Sequence, residues 1–247
     1  MGCRVFGTIL STLLWAVCLA GDPSLIESGK SGRVPVAQAA VIEELAVLFE
    51  LSTTTVGFKP HRETRSYVFI RASNWVATLA TNGVNEVLWR RSADEQISME
   101  QVFPTERHVV EFTPGDLKAL NQKPAWKHLR SIIDPAILET VLKPTGASSE
   151  LEGYMVERFE GVANGASWEV DWSAGLLIPM RLQQTRSDRI LTLTARALYP
   201  LRLAPWKLPD TDGFRRTDFS DLGDMPNDPA VRRLTKLGVS FHSHCLH

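Results

Sequence analysis

The chain is short of sulfur chemistry, of charge of one sign and of long apolar runs. Its three cysteines are Cys3, Cys18 and Cys245. Two of them fall in the first 20 residues, so a chain cut after Ala20 keeps a single thiol and no internal disulfide. Lys and Arg number 27 against 28 Asp and Glu, a net charge of −1. That balance excludes bulk electrostatic attraction to nucleic acid or to an anionic membrane. No Asn-x-Ser/Thr sequon occurs, which favours a bacterial periplasmic setting over a eukaryotic secreted one. Gly-x-Ser-x-Gly, His-Glu-x-x-His and Gly-x-Gly-x-x-Gly are all missing, so no nucleophile elbow, zinc protease or dinucleotide fold is announced. A hydrolase with dispersed site residues stays open as an alternative, because catalytic sets are recognised by geometry.

The one sustained apolar run, residues 5–17, follows Arg4 and ends at Cys18-Leu19-Ala20. It is too short for a span of about 20 residues, and it has the order of a cleavable signal peptide over residues 1–20. Cys18 offers a rival reading as a lipidated anchor, against which bulky Val17 speaks. Residues 21–34, rich in Gly, Ser, Asp and Pro, read as a flexible leader.

Pro35 opens residues 36–51, rich in Ala, Leu, Val and Glu, and the spacing predicts a helix. From residue 65 the period changes to two, predicting strands at 65–72, 74–81, 84–91, 95–102 and 107–113. Thr113-Pro114 and Asp134-Pro135 are helix starts within a helical insert, residues 114–142. Strands return at 151–160, 166–173, 175–183 and 189–198, and Pro179 demotes its segment to an edge strand or a bulge. In 168–172, Trp168, Val170 and Trp172 alternate with Glu169 and Asp171, as in a half-buried strand. Residues 201–247 turn to Pro, Asp and Arg and read as a C-terminal extension packed on the domain or partly disordered, with a short helix from Pro229 to Leu237. The fold class expected is mainly β (α+β): an antiparallel, strongly curved sheet over residues 35–200, with an N-terminal helix and a helical insert covering one face.

The order of signal, helix, meander, helical insert and second meander resembles the LolA type of periplasmic lipoprotein carrier. The residues that carry it are the 36–51 segment, the strands around Trp75 and Trp89, and Trp168-Glu169-Val170-Asp171-Trp172 followed by Leu177-Ile178-Pro179. The resemblance implies an open half-barrel whose apolar concave face, closed by helices, holds lipid acyl chains. The expected function is then a periplasmic binding or carrier protein for a lipid or other hydrophobic ligand, without covalent chemistry. A membrane-associated donor or acceptor of the cargo is the partner such a role calls for.

Trp75, Trp89, Trp168 and Trp172 are the candidate cavity residues, with Trp126 and Trp206 as further aromatics; ordinary core packing is the plainer account of each. No resident cofactor is expected in the β domain. Three of the six histidines lie in the last six residues, and His242, His244, Cys245 and His247 form a donor group suited to zinc or copper. That cluster carries the alternative reading, a metal-binding accessory or sensor protein, against the plain one of a frayed tail. Asp218, Asp221 and Asp224 could offer oxygen ligands to calcium, but they lack EF-hand spacing and read as a turn and helix-capping cluster. Arg90-Arg91 and Arg215-Arg216 read as solvated pairs.

Overall fold

A computed structural model describes residues 42–237 except 58 and 82–84. The signal, the leader and the His/Cys cluster at 242–247 lie outside the described residues. Among the described residues, twelve strands form one open, strongly curved sheet in the order β12-β6-β5-β4-β3-β2-β1-β11-β10-β9-β8-β7. In chain order they are β1 (Leu45–Thr55), β2 (Arg62–Arg71), β3 (Trp75–Ala80), β4 (Glu86–Arg91), β5 (Ile97–Phe103), β6 (His108–Phe112), β7 (Lys143–Leu151), β8 (Tyr154–Ala163), β9 (Ala166–Ser173), β10 (Ile178–Thr185), β11 (Arg189–Pro200) and β12 (Arg215–Asp218). Helices α1 (Pro114–Ala119), α2 (Trp126–Ser131) and α3 (Pro135–Thr140) form the insert; α4 (Phe219–Leu222) and α5 (Pro229–Leu237) follow β12.

Of the helix expected at 36–51, residues 36–41 lie outside the described residues, and the rest is corrected by β1. Leu45 to Leu51 run as a strand between β2 and β11, at the middle of the sheet. Its odd-numbered residues Leu45, Val47, Phe49 and Leu51 enter the main core, and Ala46 and Leu48 join a second cluster on the opposite face. A strand covered on both faces loses its polar alternation, and its composition then imitates that of a helix.

The main core lies on the inner face of the sheet. It unites Phe49, Tyr67, Phe69, Trp89, Phe103 and Phe112 from one half with Phe159, Trp168, Trp172, Ile178, Leu182 and Leu193 from the other. Leu117, Ile133, Ile137, Leu138, Leu222, Val231 and Leu234 close it from the helices and their connections. On the outer face, Ala46, Val68, Ile70, Ala77, Leu79 and Leu88 are covered by Leu201, Ala204, Trp206 and Leu208 of the C-terminal extension. That extension also adds β12, which pairs parallel to β6 at the sheet edge and so becomes part of the sheet.

Local signals act where chain chemistry suffices. Thr113 and Asp116 form a reciprocal capping box at α1, and Asp134 Oδ1 accepts from the Ala136 amide at α3. Asn164-Gly165, with φ of 52° and 69°, makes the two-residue turn between β8 and β9. Pro179 sits in an interior strand, and the register of β10 on β9 shifts between Pro179 and Arg181. The bulge reading of that proline is therefore the one realised.

Candidate functional site

Strand parity sorts the candidate tryptophans. Val76 pairs with Trp89 across β3 and β4, whereas Trp75 pairs with Arg90. Trp89, Trp168 and Trp172 are buried in the inner-face core, each at most 7% exposed. Trp75 belongs to the outer face, packed against the same cluster as Trp206. The four do not line one wall. Trp168 Nε1 donates to the Ala163 carbonyl at 3.1 Å, which satisfies its one polar group.

The helices over the inner face are short. Each of α1, α2 and α3 has six residues, well under the ~12–15 at which an isolated helix begins to persist in water. α1 and α3 are held by burying Leu117, Ile137 and Leu138 in the inner-face core, and α2 packs the part-buried Trp126 and Leu129 against it. Ile132, which ends α2, has φ +70°, a conformation that costs a β-branched residue of order 1–3 kcal/mol. Burial of its side chain within the core keeps it there.

Beside α2 lies a cleft of about 370 Å³. Its wall comprises Arg71, Arg91, Trp126, Lys127, Arg130, Ser131, Pro135 and Leu177, brought together from the ends of β2 and β4, the insert and the turn before β10. Arg71 is fully buried, and its guanidinium donates to the carbonyls of Glu43 (3.0 Å), Arg130 (2.8 Å), Ile42 (2.6 Å) and Leu176 (2.7 Å). Burial foremost, and then the neighbouring Arg130 charge, lowers its pKa to about 10, against an opposing pull from Glu43. It therefore stays a cation at neutral pH. Arg130 donates to the Ala72 and Ser73 carbonyls and pairs with Glu43. Arg91 pairs with Glu95, and Lys127 is 3.9 Å from Asp134.

Nothing in hydrophobic periodicity pointed to this cluster. The available signal was Arg71 itself, a charge directly continuing the apolar run Tyr67-Val68-Phe69-Ile70.

The remaining candidates are structural in their contacts. Arg90 and Arg91 are paired with Glu100 and Glu95, and Arg215 and Arg216 with Asp228 and Glu111. Asp218 occupies the cap position of α4, and the Asp224 amide donates to the Asp221 carbonyl. Among the described residues, no group of three or more His, Cys, Asp or Glu side chains is placed to hold a metal. Two histidines are internal: His108 Nε2 lies 2.8 Å from Thr217 Oγ1, and His128 Nε2 lies 2.8 Å from Asp134 Oδ1. Burial is the main reason both sit below the ordinary imidazole range, with Asp134 opposing the shift at His128.

No family model matches the chain, and no curated protein matches it. Among solved structures, it is similar to PNGF-II at 13% identity and a TM-score of 0.36, over 72% of this chain and 33% of that one; the chain thus spans about a third of the PNGF-II length. A LolA superfamily protein from Nitrosomonas europaea aligns over 68% of this chain and 89% of its own, at 11% identity and a TM-score of 0.31. MucB aligns over 72% of this chain and 59% of its own, at 12% identity and a TM-score of 0.38.

Proposed function

We propose that this protein is an exported, periplasmic binding or carrier module for a lipid or other hydrophobic ligand, with no covalent chemistry of its own. The observation that carries the reading is the way the inner face is closed. An open sheet presents Trp89, Trp168 and Trp172 together with Phe49 and Phe69 on that face. Six-residue helices, each dependent on that burial, cover part of it. An acyl chain entering between sheet and insert exchanges one apolar contact for another, so the free-energy cost of opening is small beside that of exposing the face to water.

Native mass spectrometry of the full chain purified from periplasm tests this, followed by delipidation and titration with a fluorescent fatty acid. Co-purified lipid and saturable uptake at one site are the expected results. A protein that emerges without lipid and leaves the probe unbound overturns the proposal.

A further inference from the structure

The cleft beside α2 has no carboxylate in its wall, while four of its eight residues are cations. Glu43, Glu95 and Asp134 pair with Arg130, Arg91 and Lys127 from outside it. That leaves four positive charges against three negative ones, and the unmatched cation is the buried one: no carboxylate approaches Arg71 within ion-pair distance among the described residues. Its donors are turned to carbonyl oxygens, which solvate the charge without neutralising it. Arg91 and Lys127 are paired at the solvent edge. Lys127 is 65% exposed and its carboxylate is at 3.9 Å, and Arg91 hydrogen-bonds Glu95, which is 75% exposed. An exposed pair of this kind contributes little, so either side chain can exchange its partner for a better anion at small cost. Trp126 lines the cleft and also packs against the inner-face core, so the cationic cleft adjoins the apolar interior.

We propose that this cleft is an anion site that takes a phosphate group, as the headgroup of an amphiphile whose apolar chain enters under α2. Arg91 and Lys127 make the direct contacts, while Arg71 and Arg130 supply the fixed field behind them. A phosphate oxygen accepts from a guanidinium or ammonium donor in a charge-assisted bond, the strong class of hydrogen bond, and a second negative charge suits the surplus at Arg71. The headgroup assignment rests on the carrier reading above; the anion site does not.

The experiment uses the full chain, delipidated, with three probes measured by calorimetry: a lysophosphatidic acid, the monoacylglycerol of the same chain length, and inorganic phosphate. The expected result is that the phosphorylated amphiphile binds at least about tenfold tighter than the neutral one, a difference of ~1.4 kcal/mol. In the double variant Arg91→Gln/Lys127→Gln that ratio falls toward one, whereas Arg189→Gln, at an exposed arginine remote from the cleft, keeps it. Thermal melts establish that both variants fold. Equal affinity for the two amphiphiles, or a preference that survives the double variant, overturns the anion site. If inorganic phosphate binds and the double variant abolishes it while neither amphiphile binds, the anion site stands and the carrier reading falls. If none of the three probes binds, both fall.

Discussion

Arg71 donates to the carbonyl oxygen of Leu176 at 2.7 Å, joining the end of β2 to the turn before β10, 105 residues downstream. The same guanidinium holds the carbonyls of Ile42 and Glu43 ahead of β1 and that of Arg130 in α2. One side chain thus ties the central strands, the second meander and the helical insert at a single point. Replacing it leaves buried acceptors without donors, and a hydrogen bond from a charged donor is worth about 1.5–3 kcal/mol. Arg71→Met is expected to lower stability by about 3 kcal/mol or more, read as the shift in the urea midpoint. A loss below about 1 kcal/mol counts against the tie.

Trp172 and Trp75 lie on different faces of the sheet. Under the carrier proposal, Trp172→Phe weakens uptake of a fatty-acid probe by about fivefold, ~1 kcal/mol, while Trp75→Phe leaves it within about twofold. Equal effects of the two substitutions would place the ligand elsewhere than the inner face.

Glu86 gives a stability change with a defined sign. Among the described residues one of its carboxylate oxygens is buried without a hydrogen-bond partner, and burial raises its pKa from 4.5 to about 7. A raised folded value means that the folded state holds the proton longer than the unfolded chain does. The contribution is full below pH 4.5 and is lost as pH rises through about 7. Glu86→Gln, which needs no proton to be neutral, is expected to raise the melting temperature at pH 8 and leave it unchanged at pH 4. The same melting temperature at pH 8 in both proteins would refute the assignment.

His108 works in the opposite sense. Desolvation leads the lowering of its pKa, so the unfolded chain takes up the proton first as pH falls below about 6.5. Stability is complete above that value and declines as pH drops through the lowered one. Because His108 meets Thr217 of β12, the decline is expected first at that edge, as faster amide exchange over Arg215–Asp218 at pH 5 than at pH 7, after correction for intrinsic rates. Thr217→Val removes the partner and is expected to speed the same amides at pH 7, at a cost of about 1 kcal/mol. Uniform exchange across the sheet at both pH values would refute the local role.

Most of the strands were legible because their signals are local. The sequence places strands at 65–72, 107–113 and 166–173, and β2, β6 and β9 lie there within a few residues at either end. The insert was legible from Thr113-Pro114 and Asp134-Pro135, since capping is a matter of three adjacent residues. β7 was missed: Lys143–Leu151 is exposed along nearly its whole length and, among the described residues, pairs only with β8, so no buried face leaves a period in its sequence. The tryptophans were visible as aromatics at strand spacing, but the face each takes depends on its cross-strand partner.

By itself, then, the sequence determined what short stretches of chain can decide: a mainly β class, the position of most strands, the caps of the insert and an irregularity at Pro179, whose choice between edge strand and bulge was left to the structure. Tertiary structure alone decided that Leu45–Thr55 is a central strand, that Arg215–Asp218 completes the sheet edge, and that four cations from distant segments surround one cleft. The physical reason is the range of the interactions. Caps, turns and alternation act over a few residues, whereas burial on both faces of β1 needs β2, β11 and the C-terminal extension, and the carbonyl cage of Arg71 reaches a residue 105 positions downstream; such meetings leave no periodic trace in the segments that make them.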